Sequence, residues 1–165
     1  EIGKSLCEEK YLSLASEIIN KAKENGVSLI LPLDVVCAKN IDDTDTIEVK
    51  DVDSLMLDDI GLDIGPETCI NFDMFINSSK TIIWNGPMGL FENIYFSTGT
   101  QSIASSLQEL SQHKQATTII GGGDTVRAID NFNLNLNFTH ISTGGGSSLE
   151  MLSGKDLPAL KSLGE

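Results

Sequence analysis

The sequence predicts an α/β protein, an open parallel sheet with helices on both faces. Two observations point there. From Gly61 onward, short β-branched runs (TIIWN, ATTII, THIS) alternate with helical stretches, the pattern of parallel strands joined by right-handed crossovers. The apolar residues of these runs are also continuous and not alternating, as strands covered on both faces require.

The elements follow in order. Residues 7–25 read as an amphipathic helix. Leu14, Ile18 and Ala22 fall at helical spacing, Ala15 and Ile19 widen the stripe, and Gly26 stands where a left-handed cap would end it. VSLILPLDVVCA then predicts a buried strand, broken by Pro32, with an extended continuation. Residues 40–60 are acidic and irregular, with IEVKDV as a short outer strand. A Gly-Pro turn opens a helix over 66–78, followed by strand TIIWN, a helix over 99–112, strand ATTII, a helix over 124–131, strand THIS and a helix over 146–153. No internal repeat interrupts this order.

The 165 residues suffice for one compact domain with its own core. Aromatic residues make up only 5% of the chain, so Ile, Leu, Val and Ala must fill that core. A net charge of −13, from 11 Lys and Arg against 24 Asp and Glu, excludes a nucleic-acid partner, because phosphate neutralisation needs clustered cations. A small phosphate-bearing ligand stays compatible, since helix-start amides and a bound cation act locally. Cys7, Cys37 and Cys69 form no C-x-x-C pair and read as reduced, buried or idle thiols. EIGKSL lacks a secretion signal, and no apolar segment reaches the roughly 20 residues of a membrane span. The expectation is a soluble, cytoplasmic protein with no membrane partner. Its first residue, Glu1 and not Met, marks the chain as processed, trimmed or part of something longer.

Three glycine-rich turns carry the chemistry: WNGPMG after TII, GGGDT after TTII and STGGGSS after THI. Each follows the carboxyl end of a predicted strand, where ligands of open parallel sheets bind. Two of them run straight into helices, so unpaired amides and the positive helix end coincide, and glycine lets a ligand approach the backbone. One GGG alone is weak, because strand-to-helix turns use glycine merely to change direction. Three at successive strand ends are stronger, and two adjacent helix starts would cradle phosphates. Asp124 is either the cap of its helix or a Mg²⁺ ligand beside that cradle. Glu92 is either a solvated acid or an acceptor for ribose hydroxyls. Trp84 reads as core, His140 as a structural histidine and His113 as surface. Neither G-x-x-x-x-G-K-[ST] nor G-x-G-x-x-G occurs, which disfavours a dinucleotide oxidoreductase. A binding module that keeps this fold without the ligand is the other alternative.

GLDIGP (61–66), WNGPMGLFE (84–92), IGGGDT (120–125) and HISTGGGSSLEMLSGKDLP (140–158) resemble, in order and spacing, the carboxyl-terminal half of phosphoglycerate kinases. The helix at 7–25 and LPLD at 31–34 extend the resemblance over essentially the whole chain. It implies a Rossmann-like, three-layer nucleotide-binding domain, here incomplete: residues 1–165 as one partial domain of a two-domain, monomeric, glycolytic kinase. The parent would move a phosphoryl group reversibly between 1,3-bisphosphoglycerate and ADP, giving 3-phosphoglycerate and ATP. The resemblance places Gly61 and Leu62 at one side of the adenine, with Pro87 and Leu90 at the other. It puts Glu92 on the ribose and Asn85 near the phosphate chain. Gly122, Gly123 and Thr125 would lie along the phosphates, with Asp124 on Mg²⁺. Gly144, Gly145 and Gly146, together with Gly123, would face the phosphoryl group in flight. The family's amino-terminal domain, which holds the phosphoglycerate, is missing, as are the first strands of the nucleotide domain with a phosphate-contacting lysine. The implied fragment binds Mg-ADP or Mg-ATP without turnover and leaves a sheet edge unpaired. Smaller departures are Ser147 where Ala is usual, Ala159 where Gly is usual, and Asp59-Ile60 where Trp-Met commonly precedes GLD.

Overall fold

The computed structural model describes residues 2–113, 115–132, 137–142 and 144–154. It divides into two compact units, Glu1–Phe72 and Asp73–Glu165. The end of the GKDLP motif, beyond Gly154, and Ala159 lie outside the described residues.

In the first unit a short 3-10 turn leads into helix α1, Leu12–Glu24. It closes as predicted at Gly26, whose φ is +67°. Gly26 N–H donates to Lys23 O at 3.3 Å and Val27 N–H to Ala22 O at 2.9 Å, the paired bonds of a glycine-terminated helix. No residue of α1 is buried, and Leu14, Ile18 and Ile19 are about half exposed. The expected strand before Pro32 does not form. Leu29 and Leu31 are exposed, and the strand β1 begins only at Asp34–Ala38, beyond the residue that cannot donate to a ladder.

β1 is the centre of an antiparallel sheet, between β2 (Glu48–Asp51, the expected outer strand) and β3 (Ile60–Ile64). β3 falls where the sequence reads as a turn, because Gly and Asp are poor strand formers. Its register shifts: Val36 faces Asp63 while Cys37 faces Gly61, so Leu62 is the additional residue of a bulge.

Helix α2, Pro66–Ser78, matches its predicted span and carries Pro at its first position, where a missing N–H costs nothing. Its cap comes from a distant residue. Asp34 accepts the N–H groups of Glu67 at 3.0 Å and Thr68 at 2.7 Å, and the Thr68 hydroxyl at 2.6 Å. A Cβ on Gly65 would lie 2.2 Å from that carboxylate, so glycine there admits the cap. Burial pushes the Asp34 carboxyl up, but the hydroxyl and amide of Thr68 and the amide of Glu67 together hold it below its ordinary value.

The second unit alternates β4 (Thr81–Asn85), α3 (Thr98–Gln112), β5 (Thr117–Gly121), α4 (Gly123–Asn131), β6 (His140–Ser142) and α5 (Gly145–Leu152), each within a residue or two of its predicted span. The strands are parallel in the order β4–β5–β6. This is the predicted α/β class, an incomplete Rossmann-like domain. One sheet face is sealed: Trp84, Thr118 and Ile120 are at most 4% exposed, and α3 and α4 pack on β5. Ile103, Leu107 and Leu110 of α3, with Ala128 and Ile129 of α4, are buried with them. The other face is more open than the unbroken apolar pattern suggests. Ile83, level with Ile119 and His140, is 42% exposed, and Leu149 and Leu152 of α5 border the hollow over it. β4 forms one edge of the described sheet.

Candidate functional site

The three glycine turns gather at the carboxyl ends of β4, β5 and β6. Asn85, Gly121 and Ser142 occupy the last positions of the three strands at one level of the register. From Asn85 the chain turns through Gly86, whose φ of +108° is accessible to glycine at little strain. The turn is fixed from three sides. Trp84 Nε1–H donates to Gly86 O at 2.7 Å, Gly86 N–H donates to Thr125 Oγ1 at 2.7 Å, and Met88 N–H donates to Thr100 Oγ1 at 3.0 Å. Thr100 and Thr125 are fully buried, so their hydroxyls brace the loop from α3 and α4. Thr125 was expected along a phosphate chain. Its side chain is committed to this brace and the whole residue is buried. Thr100 carried no signal in the sequence, because one Thr within a helix has no distinguishing neighbour.

The second turn places Gly122, at φ +93°, directly before α4, and no side chain caps that helix. The third brings α5 in beside it. A Cβ on Gly145 would lie 2.6 Å from Gly122 Cα and 3.3 Å from Asn85 Oδ1, and one on Gly122 would lie 2.5 Å from Asn85 Oδ1. The two helix starts therefore touch, with the Asn85 amide against both. Only glycine permits this approach. A Cβ on Gly123 or Gly146 would meet nothing within 4 Å, so the surface beyond the contact is clear. Gly144 donates its N–H to Ser142 Oγ at 3.3 Å.

Pro87 and Leu90 are half-buried in the first turn, and Phe91 beside them is 6% exposed. Glu92 and Asp124 are exposed, and one residue the sequence reading passed over reaches both. Arg127 Nη1 pairs with Asp124 Oδ1 at 3.0 Å, its Nη2 lies 3.9 Å from Glu92 Oε1, and its guanidinium stands 5.9 Å from the Phe91 ring centre. The signal was available, since Arg127 sits three residues after Asp124 on the same helix, at pairing distance. His140 lies on β6 as expected but is exposed, bordering with Asn85 and Ile119 a hollow of about 540 Å³. His113 is exposed as expected, and Trp84 is core.

Gly61 and Leu62 belong to the first unit, on β3. Both are half-buried, and Gly61 N–H donates to Ser5 Oγ at 2.9 Å. Cys37 is buried, Cys69 half-buried and Cys7 exposed, and none of the three is in a disulfide. Among the described residues no three His, Cys, Asp or Glu side chains cluster to hold a metal unaided, and no helix is long and apolar enough to cross a membrane.

An open parallel sheet whose two adjoining glycine helix starts meet beyond the strand ends defines an α/β protein with an anion-accepting crevice. The phosphoglycerate kinase family model matches residues 1–155, and the chain belongs to that family. A phosphoglycerate kinase of Dictyoglomus turgidum is 50% identical over 160 residues, which cover 97% of this chain and 40% of that protein. One of Prochlorococcus marinus is 49% identical over 165 residues, covering 100% and 41%. The structure of phosphoglycerate kinase from Coxiella burnetii superposes with a TM-score of 0.90 at 41% identity, over 98% of this chain and 40% of that one. The chain thus spans about 40% of the length of these relatives.

Proposed function

We propose that this chain is the carboxyl-terminal, nucleotide-binding part of a phosphoglycerate kinase: one partial domain of a monomeric, cytoplasmic, two-domain glycolytic enzyme. The whole enzyme would transfer a phosphoryl group reversibly between 1,3-bisphosphoglycerate and ADP, giving 3-phosphoglycerate and ATP. The observation that carries the reading is the contact of the Gly122 and Gly145 helix starts with Asn85 between them.

The residues divide the work by position. Amides at the starts of α4 and α5 (Gly122, Gly123, Gly145 and Gly146), with Gly144 held beside them by Ser142, hold the phosphates and meet the charge spread over the transferring group, which is where phosphoryl-transfer catalysis chiefly acts. Asn85 orients the phosphate chain. Glu92 accepts the ribose hydroxyls and Pro87 and Leu90 border the adenine, while Gly61 and Leu62 of the first unit are assigned to the adenine by the family resemblance alone. In the transfer itself, a carboxylate oxygen of 3-phosphoglycerate bonds to the γ-phosphorus as the bond to the ADP oxygen breaks, with no proton moved. The acceptor is held by residues outside this chain, so the isolated piece binds nucleotide without turnover.

Asp124 fits magnesium. Its side chain is 70% exposed, and a Mg²⁺ site built with phosphate oxygens and water needs only one or two carboxylates. Bound there, the ion would neutralise phosphate charge. Arg127 pairs with Asp124 Oδ1, and the other carboxylate oxygen would be the one offered to the ion.

Calorimetric titration of Mg-ADP tests the reading. Wild type should bind and Asp124→Asn should lose metal-dependent affinity. At about 100 times its dissociation constant, Mg-ADP should add roughly 2.7 kcal/mol to stability. Unchanged affinity in Asp124→Asn defeats the metal assignment. No binding in the wild type defeats the whole.

A further inference from the structure

Asp59 is buried, at 1% exposure, and no part of the proposed chemistry uses it. Its carboxylate gathers three donors. Lys39 Nζ lies 2.6 Å from Oδ1, Lys50 Nζ 2.8 Å from Oδ2, and Met56 N–H donates to Oδ2 at 2.7 Å. Its carbonyl accepts Lys4 N–H at 2.7 Å. Lys39 follows directly on β1 and Lys50 stands within β2, so one carboxylate joins both neighbouring strands to the residue that leads into β3. Two cations with an amide suit such a buried anion, because a charge removed from water needs full pairing.

What this fixes is the strand immediately after it. Ile60 and Gly61 pair with Ala38 and Cys37, and then the register slips so that Leu62 is the bulged residue. A bulge re-aims a side chain and holds its place only if the flanking pairs cannot slide. Asp59 pins one flank. Ser5 Oγ, accepting Gly61 N–H at 2.9 Å, secures the same stretch from the amino-terminal segment. Gly3 lies close enough to the Asp59 carbonyl that a Cβ would come within 2.2 Å of it.

We propose that Asp59 is a positioning residue for base recognition: through its bridges to Lys39 and Lys50 it locks the β3 bulge that presents Gly61 and Leu62. The inference rests on the adenine placement given above and deepens it. It assigns nothing to phosphate binding, whose residues lie in the second unit.

The experiment separates base from phosphate. Calorimetry compares ADP with inorganic pyrophosphate, both with Mg²⁺, for wild type, Asp59→Asn and Lys39→Gln. Asp59→Asn should weaken ADP by roughly five- to tenfold while pyrophosphate affinity stays unchanged, and Lys39→Gln, which keeps the Lys50 bridge, should show the same split to a smaller extent. A merely structural role would move the melting temperature and leave the ADP-to-pyrophosphate ratio as in the wild type. That unchanged ratio, from equal losses or from none, overturns the proposal. If Asp59→Asn does not fold, Lys39→Gln decides by the same ratio. A wild type that binds pyrophosphate but not ADP removes the adenine placement and this inference together.

Discussion

The two units bury opposite kinds of side chain. Among the described residues, the first conceals three aspartates, Asp34, Asp59 and Asp63, beside Cys37, Ala38 and Ile64 as its buried apolar residues. The second conceals Trp84, Phe91, Phe96, Ile103, Leu107, Leu110 and Ile120, and its buried polar residues are hydroxyls of Ser and Thr. One is held in register by charged hydrogen bonds, the other by packing. Directional bonds fix a bulge and a remote helix cap but fail when a proton or a partner is changed. Apolar packing is indifferent to pH and yields only to lost volume.

The largest effect should come from breaking the packed unit. Phe96 and Leu107 are at most 1% exposed, so Leu107→Ala should cost about 3 kcal/mol and Phe96→Ala about 4 kcal/mol. Trp84, the single tryptophan, lies in this unit and reports the loss by fluorescence in denaturant. A cost that changes strongly between pH 4 and 8 would contradict the contrast.

Next is Asp34→Ala in the first unit. It removes the cap of α2 and leaves the Glu67 and Thr68 amides without their acceptor, for about 2 kcal/mol. Amide exchange should accelerate first at Glu67 and Thr68. An equal change across β4–β6 and none in α2 would show that the cap is not local.

The contrast sharpens with pH. The Lys39 and Lys50 bridges hold the Asp59 carboxyl well below the usual carboxylate range, and Asp34 is also lowered. Lowered acids contribute stability that is complete above their unfolded value, near 3.9, and is lost as pH falls through the lower folded values. Burial raises the Cys37 thiol above its ordinary 9.0, so its contribution is complete below that value and declines as pH rises through the higher folded one. The first unit should therefore be insensitive between about pH 5 and 8. Protection of β1–β3 amides should fall ahead of β4–β6 on acidification toward pH 2. Simultaneous loss would refute the division.

The same contrast explains what the sequence disclosed. The second unit was legible almost to the residue, because local signals suffice: β-branched runs such as TIIWN, helical spacing between them, and glycine where each strand meets a helix. The first unit was not. β3 carries Gly61 and Asp63 at positions where strand formers are expected, and what makes it a strand is the ladder to β1 and the Asp59 bridges, all partners distant in sequence. LPLD was visible only as a resemblance, although Asp34 caps a helix more than thirty residues away. In the candidate site, the gathering of the glycine turns at the strand ends was legible, whereas the brace from Thr100 and the second contact of Arg127, to Glu92, needed coordinates.

The smallest predicted effect tests that last pairing. Arg127 makes two ion contacts and leans toward Phe91, yet its side chain is 63% exposed and its partners 49% and 70%. Water screens such pairs, and ordering a long side chain offsets their attraction, so Arg127→Ala should change stability by less than about 0.5 kcal/mol. Thr125→Val, which removes one buried hydroxyl from the Gly86 amide, should cost about 1–2 kcal/mol despite preserving shape and charge. If chemical denaturation in low salt reversed that order, exposed charges and not buried hydroxyls would hold the glycine turns in place, and the second unit would resemble the first after all.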